Sequence, residues 1–329
     1  MNKPSSAGAG AGDEPAAVCL HNADPHEVAE HLERGQFFWL DLEQPTDDKL
    51  YQLAEKIGLH PLTVDDARTF EQRPKLDEYD GYVFLVSYGV DPAALSGEPL
   101  LVEVHLIISG DFVVTIHRRP IPELQALRER FPQHPKRSEQ FLVYKILDAV
   151  TSTFFPVLTR IDDAIDEIEQ DVIEVPTEEI LQRIFSLKRD LVSMRRVISP
   201  ERDLFARDSE RISDLPGLEA DDRLYFRDLY DGLVRISELV DSYRDLLSGA
   251  TDMYLSTVAN RQGEVNKTLT MIATVFLPLT FLTGFFGQNF SFLTTHILDT
   301  EWSFIVFGLG LLLVSIIVFL IYFRSKRWM

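Results

Sequence analysis

The sequence predicts a mixed α/β domain, then long helices, then a two-helix transmembrane hairpin. In the first third of the chain, short runs of β-branched and aromatic residues alternate with well-punctuated helical segments. Beyond Pro122 the apolar residues recur at helical spacing instead. Near the C-terminus, residues 268–298 and 302–323 contain no Asp, Glu, Lys or Arg. Each of these runs is long enough for a helix to cross a bilayer, which takes roughly 20 residues.

The composition of the chain argues against several classes of function. The chain has 329 residues, and a hydrophobic content of 45% is sufficient for sizeable cores. Its 32 basic and 52 acidic residues give a net charge of -20, which argues against binding to nucleic acid and favours cations or basic partners. A single cysteine, Cys19, excludes an internal disulfide and the paired-cysteine zinc motifs, so we expect a reducing compartment.

The α/β domain is predicted over residues 18–135, after a Gly/Ala/Ser/Pro-rich segment, 1–17, that reads as a flexible tail without a secretory signal. Two short helices begin at N-caps, Asp24 and Thr46. The predicted strands are FFWLDLE, YVFLVSYGV, LLVEVHLIIS and FVVTIHR, and the last two are joined by a turn at Gly110 and Asp111.

A helical and stalk region is predicted over residues 136–265. Ile161, Ile165 and Ile168 share one face of a helix that ends at Pro176, and the acidic residues on its other faces read as a solvated surface. A second, antiparallel helix begins at Thr177 and is expected to stop at Pro200.

A third helix is expected from about residue 221 to 286, on the order of 100 Å long at about 1.5 Å per residue. Its last part, 266–287, is the predicted first transmembrane helix, followed by an external loop, 288–301, and a second transmembrane helix, 302–323. The tail, 324–329, carries three basic residues, whereas the loop carries none. The positive-inside rule therefore places both termini in the cytoplasm of a multi-pass protein of the plasma (inner) membrane.

One face of the first transmembrane helix is almost entirely small or polar. Its residues are Asn266, Thr270, Ala273, Leu277, Thr280 and Gly284. Close helix packing and pore lining both produce such a face. The same face continues with acidic residues before the membrane and ends at a glycine and an amide, which favours a pore lined by a ring of copies. Pro278 would free a backbone carbonyl at mid-span, and this is tolerated where water or protein satisfies it.

Several separated motifs resemble, in order, the CorA family of divalent-cation transporters. They are HPLTVDDARTFEQRPKLDEYDGYVFLV, YFRDLYDGLVRISELVDSYRDLLSGATDMYLS, TMIATVFLPLTFLTGFFGQNF and the ending KRWM. The resemblance implies a funnel-shaped homopentamer in the lipid bilayer, with an α/β cytoplasmic domain, a stalk helix that becomes the pore-lining span, and an outer span. It implies divalent cation transport, magnesium first with cobalt and nickel behind. No enzyme activity, and no cofactor besides the transported and regulatory cation, is expected.

The resemblance also assigns residues. The family's Gly-Met-Asn turn at the external mouth corresponds to Gly287, Gln288 and Asn289, so Gln288 stands where magnesium-type members carry Met. At the cytoplasmic constriction, where the family uses bulky apolar side chains, this chain has Asn266 with Leu269.

A regulatory metal site between neighbouring cytoplasmic domains is also implied. Asp228 matches one of its ligands, and Asp91 lies close to the position of the other. The alternative is that Asp228 is an ordinary solvent-exposed stalk residue.

Other interpretations stay open at this point. The ZntB-type zinc branch of the family also varies the position of Gln288, so a zinc transporter, with or without proton coupling, is one alternative. A non-conducting membrane-anchored scaffold is another. His21, His26 and His31 fall on different helix faces from one another, so with Cys19 they read as surface residues rather than a metal site. The sequence contains no recognisable nucleophile-base constellation or phosphate-binding glycine loop.

Overall fold

A computed structural model describes residues 18–94, 100–133, 139–213, 223–288, 291–292, 295–296 and 300–326. The predicted tail, 1–17, lies outside these residues. The chain divides into two compact units, one formed by Met1–Asp171 with Thr177–Thr251 and the other by Val172–Pro176 with Asp252–Met329.

The first unit contains a six-stranded mixed sheet with the strand order β1-β2-β6-β5-β4-β3. The strands are β1 (Val18–His21), β2 (Phe38–Glu43), β3 (Lys75–Tyr79), β4 (Tyr82–Val90), β5 (Leu101–Ile108) and β6 (Phe112–His117). The pairs β1–β2 and β2–β6 are parallel, and the remaining pairs are antiparallel. The four strands that the sequence predicts are confirmed, and β1 and β3 extend the sheet at its two edges.

The helices of the first half are short, and two of them begin at the predicted caps, Asp24 and Thr46. They are α1 (Pro25–Glu33), α2 (Asp47–Ile57), α3 (Pro61–Arg68), α4 (Pro122–Arg130) and α5 (Glu139–Ser152), with a 3-10 turn at Phe131–Gln133. The Asp24 side chain accepts a hydrogen bond from the His26 amide, and Thr46 caps α2 in the same way. Gly58 ends α2 in the left-handed conformation, at φ +73°, which suits glycine.

Three longer helices follow: α6 (Phe154–Glu174), α7 (Glu178–Ser213) and α8 (Arg223–Phe286). The predicted stop at Pro200 is wrong, because α7 continues through this proline. The ring removes one N–H and crowds the carbonyl of Arg196. Apolar side chains on both sides of the proline are buried, namely Val197, Ile198, Leu204 and Phe205, and their packing keeps the helix intact.

Three helical stretches among the described residues are long and apolar enough to cross a membrane. They are Phe141–Glu174, the C-terminal part of α8, and Glu301–Ser325, which comprises α9 (Glu301–Ser303), a π-helical segment (Phe304–Gly310) and α10 (Leu311–Ser325). In the first stretch, 67% of the most apolar window is buried within the chain itself, whereas in the other two the share is 0%. Phe141–Glu174 is therefore part of the core of the chain. The two remaining stretches coincide with the predicted transmembrane helices.

Candidate cation pathway

The small and polar face of α8 is exposed within one chain. Asn266, Leu269, Thr270, Ala273, Leu277, Thr280 and Gly284 are all exposed. The exposed fraction of Leu277 is 76%, although it lies in an apolar stretch. Another face of the helix is half-buried. Its residues recur at spacings of three and four and are Lys267, Met271, Thr274, Pro278 and Leu282. The predicted pore-lining residues therefore lie together on a free helix surface.

The threonines of this segment turn their hydrogens back into the helix. The Thr270 hydroxyl donates to the Asn266 carbonyl at 2.8 Å, and the Thr280 hydroxyl donates to the Phe276 carbonyl at 2.8 Å. A hydroxyl used in this way keeps acceptor lone pairs for an outside group. These residues can therefore accept hydrogen bonds from the water shell of a cation without any charged group on the face.

The backbone explains why the helix ends just before Gly287. The Gly287 amide donates to the Thr283 carbonyl at 2.9 Å, and the Gln288 amide donates to the Phe285 carbonyl at 3.3 Å. A Cβ at Gly287 would lie 2.9 Å from the Thr283 carbonyl oxygen, closer than real Cβ contacts. Gly284 has open space at the same test. A glycine is thus required by the turn at position 287 and not by the helix before it.

Gln288 follows this turn with an exposed side chain. Asn289, the third residue of the predicted external mouth, lies outside the described residues. The structure therefore places Gly287 and Gln288 at the end of the exposed face, and the role of all three residues stays a prediction.

The two predicted regulatory carboxylates each have a partner within the chain. The Asp228 side chain is exposed and accepts a hydrogen bond from the Tyr144 hydroxyl at 2.9 Å. Burial and this hydrogen bond to the carboxylate raise the pKa of Tyr144, so the phenol stays protonated and remains a donor. Asp91 forms an ion pair with Arg119 at 2.6 Å. Among the described residues, no group of three or more His, Cys, Asp or Glu side chains is arranged to hold a metal ion.

Sequence reasoning missed a buried polar network on the sheet. Thr115 donates to Asp41 at 2.7 Å and accepts from the Trp39 indole at 3.0 Å, and His117 lies 3.0 Å from the same carboxylate. Arg128 donates to the other oxygen of Asp41. The alternation of side chains along β2 and β6 could have signalled the pairing of Asp41 with Thr115, because it puts both on one face.

This network is charged. Burial by itself would raise the pKa of the Asp41 carboxyl, but hydrogen bonds from His117 and Thr115 and the charges of His117 and Arg128 hold it below its ordinary value. Burial would likewise lower the pKa of His117, but the hydrogen bond to Asp41 and its charge raise it. Asp41 and His117 connect β2 to β6, and both side chains have hydrogen-bond partners. These contacts fit a structural role.

The predicted surface histidines are separate from one another. His31 contacts Gln36 and His26 contacts Glu30, whereas His21 lies against Arg128 and Asp41. Burial raises the pKa of the Cys19 thiol to about 11, which disfavours the thiolate that a metal would require.

These features define a class of membrane protein: a mixed α/β unit, a 64-residue helix whose C-terminal part is apolar and exposed, and a second apolar helix after a short connection. Comparison with known proteins makes the class specific. The profile of the family described as CorA-like Mg2+ transporter protein matches residues 34–327. The chain therefore belongs to the CorA family.

Individual relatives agree with this assignment. The chain is 35% identical to the cobalt/magnesium transport protein CorA of Thermotoga maritima, over 86% of this chain and 80% of that protein. The zinc transport protein ZntB of Yersinia enterocolitica is 27% identical over 76% of each chain. The solved structure of the CorA magnesium transporter from Methanocaldococcus jannaschii is similar with a TM-score of 0.76 and 25% identity, covering 88% of this chain and 91% of that chain.

Proposed function

We propose that this chain is one subunit of a homopentameric, passive pore for hydrated divalent cations. Magnesium is the main substrate, and cobalt and nickel are further substrates. The pore lies in the plasma (inner) membrane with both termini in the cytoplasm, and the protein is not an enzyme. Uptake is driven by the membrane potential and is reduced by a cation bound on the cytoplasmic side.

The observation that carries this proposal is the exposed face of α8 that ends at Gly287. Its members carry no charge and include a side-chain amide and two hydroxyls, those of Asn266, Thr270 and Thr280. Polar groups inside a membrane belong where protein or water satisfies them. A ring of copies with this face turned inward would supply both neighbouring protein and water to these polar groups.

The chemistry of the face suits magnesium. This ion dehydrates reluctantly and usually keeps several of its waters. Carbonyl, amide and hydroxyl oxygens can bind those waters without stripping them, and neutral groups also allow the ion to leave. Gly287, Gln288 and Asn289 are proposed as the first contact outside, and Leu269 and Leu277 as the apolar constriction.

Regulation is proposed to act through Asp228 and Asp91. Asp91 is neutralised by Arg119, whereas among the described residues the one hydrogen-bond donor to Asp228 is the neutral hydroxyl of Tyr144. Asp228 is therefore the carboxylate whose charge is available to a cation shared with a second subunit.

The alternative substrate is zinc, with or without proton coupling. It is favoured by Gln288, which replaces the usual Met, and by the likeness to the ZntB protein. A non-conducting scaffold is the alternative from a different class.

Flux into proteoliposomes tests the proposal. Purified protein is reconstituted with a magnesium-sensitive dye inside, and an inward-negative potential is imposed. We expect magnesium uptake by the wild type, and a loss of at least about tenfold in Asn289→Ala, since losing one contact to the hydration shell removes about 1.4 kcal/mol or more. Asn260→Ala, an exposed asparagine on α8 outside the proposed face, is the matched control.

The outcomes separate the alternatives. Uptake of zinc without magnesium uptake would establish the zinc alternative, and its dependence on a pH gradient would show proton coupling. If a well-assembled oligomer conducts no divalent cation, the non-conducting scaffold is the function that remains. Normal magnesium flux in Asn289→Ala would remove the external mouth from the proposal.

A further inference from the structure

A cavity of about 740 Å³ is lined entirely by residues of the first unit. Its walls come from the loop between α3 and β3, from β4 and β5, from the segment after β6, and from α7. Four arginines line it: Arg73, Arg118, Arg119 and Arg196. In a chain of net charge -20, such a concentration of positive charge at one concavity requires an explanation. The volume falls in the range of small-molecule binding sites, roughly 300–1,000 Å³.

Two of these arginines have no partner among the described residues. Within the part of the chain that the structure describes, no hydrogen bond or ion pair is formed by the guanidinium groups of Arg73 and Arg196. Arg118 lies over the Phe70 ring, with 4.2 Å between its Cζ and the ring centroid, and donates to the Arg68 carbonyl at 2.9 Å. Arg119 is neutralised by Asp91 and does not count toward the free charge. Three guanidinium groups therefore remain.

The negative charges at the cavity do not balance them. Glu103 is buried, and its carboxylate accepts hydrogen bonds from the Glu71 and Gln72 amides and contacts His105 at 2.7 Å. The side chain of Glu71 is exposed. The lining therefore has three guanidinium groups against two carboxylates, and the hydrogen bonds from the loop and the contact with His105 hold the buried carboxylate of Glu103 in place.

The loop that carries Arg73 is held in place before any ligand arrives. Besides the two hydrogen bonds to Glu103, the Tyr88 hydroxyl donates to the Gln72 carbonyl. The Gln72 side chain donates to the carbonyls of Asp66, at 2.7 Å, and Thr69, at 2.8 Å. Glu71 has φ +76°, which is unfavourable for a residue with a side chain and is maintained here by these contacts. Because the loop is already held in one conformation, binding a ligand would cost less conformational entropy.

We propose that this cavity binds a small phosphate-bearing anion of nucleotide size. A guanidinium group presents paired N–H donors that match two phosphate oxygens, and Arg73 and Arg196 have all of theirs available. The Phe70 ring, the Arg118 guanidinium over it, and Pro74 offer a partly apolar wall for the organic part of the ligand. The proposal is independent of the transport function, because binding is measured without flux.

Calorimetric titration of the detergent-solubilised full chain tests this site. AMP, ADP, inorganic phosphate and adenosine are titrated at a fixed, buffered free magnesium concentration, since phosphates bind this ion themselves. We expect saturable binding of AMP or ADP, weaker binding of phosphate, and none of adenosine. In the cavity variant, Arg73→Ala with Arg196→Ala, the Kd should rise by about tenfold or more, because two charge-assisted contacts are lost.

The matched control is Arg34→Ala with Arg160→Ala, which removes the same charge from exposed positions away from the cavity. It should bind as the wild type does. If the alanine variant does not fold, Arg73→Lys with Arg196→Lys keeps the charge and should still weaken binding, since an ammonium group cannot make the paired contact.

Several results would overturn the proposal. They are no saturable binding of AMP, ADP or phosphate to the wild type up to about 10 mM, equal affinity in the cavity variant, or an equal loss in the control. A cavity variant that changes the oligomeric mass, with no phosphate binding by the wild type, would instead identify the arginines as a contact between subunits.

Discussion

Gln288 lies two residues after the last residue of α8, and its side chain is exposed. It stands at the position where the resemblance to the family leads us to expect Met in magnesium-type members. An amide can bind ions or their waters through its oxygen, whereas a thioether is a weak acceptor. We expect Gln288→Met to shift selectivity toward magnesium, by up to about tenfold in the ratio of inhibition constants. Competition of cobalt and zinc against magnesium uptake measures this shift. Superimposable competition curves for both proteins would remove Gln288 from the selectivity filter.

Glu201 is a second residue whose surroundings predict a measurable effect. It is 1% exposed, one oxygen accepts from the Ser87 hydroxyl, and the other has no partner within the described residues. Burial raises the pKa of its carboxyl from the ordinary 4.5 to about 8, although the hydrogen bonds from Ser87 and the Tyr88 amide oppose the shift. The folded chain therefore keeps this proton at neutral pH, and the unfolded chain releases it.

The sign of the pH dependence follows from this difference. Between pH 4.5 and about 8 the folded state binds more protons at this site, so its contribution to stability falls as pH rises, by up to about 1.4 kcal/mol per pH unit. Glu201→Gln should remove this slope and melt at a higher temperature than the wild type at pH 8. Melting temperatures at pH 5, 6.5 and 8 measure it, with Glu55→Gln, an exposed position on α2, as the control. Parallel curves for wild type and Glu201→Gln would contradict the assignment.

At the scale of one element, α8 offers a test of which side faces the ion. Thr280 and Thr283 are both exposed, and their hydroxyls donate to the carbonyl four residues back at 2.8 and 2.9 Å. Only Thr280 belongs to the predicted pore-lining face. We expect Thr280→Val to lower magnesium flux several-fold, since an acceptor for the ion's water is replaced by a methyl group. Thr283→Val should have little effect.

The two substitutions are matched in volume, and both positions are exposed. Both hydroxyls donate to the carbonyl four residues back, and that of Thr283 also lies 3.1 Å from the Thr280 carbonyl oxygen. A larger loss of flux at position 280 would therefore report the orientation of the helix. Both variants are compared at equal amounts of assembled oligomer. Greater damage from Thr283→Val than from Thr280→Val would mean that another face of α8 lines the pathway.

At the scale of the whole molecule, the proposed regulation couples copies of the chain through a bound cation. A ligand that binds the closed state better stabilises it by RT ln(1 + [L]/Kd), so a lost carboxylate weakens only the magnesium-dependent part of closure. Asp228→Ala should therefore require about tenfold more magnesium to protect the cytoplasmic part against protease, and should raise flux at high internal magnesium. Asp228→Lys should favour closure without metal, because a fixed positive charge replaces the bridging cation.

Titration of magnesium against protease cleavage measures both effects. Asp231→Ala removes a neighbouring exposed carboxylate of the same helix and should behave as the wild type. If wild type, Asp228→Ala and Asp228→Lys give the same curve, Asp228 is a solvated stalk residue and the hydrogen bond from Tyr144 has no regulatory meaning.

The sequence by itself was sufficient for features that depend on local chemistry. Alternating and β-branched runs predicted four of the six strands, since such residues fit a pleated, half-buried surface. Asp24 and Thr46 predicted helix starts, because a cap acts on the amides next to it. The long charge-free stretches predicted the two exposed apolar helices, and the ordered motifs predicted the CorA family.

Tertiary structure decided what depends on residues far apart in the chain. Packing around Pro200 overrode the local tendency of proline to end a helix, because the apolar residues on either side are buried against other elements. Burial likewise made Phe141–Glu174 a core element, although by composition alone it could cross a membrane. The Asp41 network joins residues 76 positions apart, and the arginine cavity joins the segment at Phe70 to Val197. No local sequence pattern predicts contacts over such separations. Local propensity acts over a few residues, whereas burial and charge pairing are set by whatever the fold brings together.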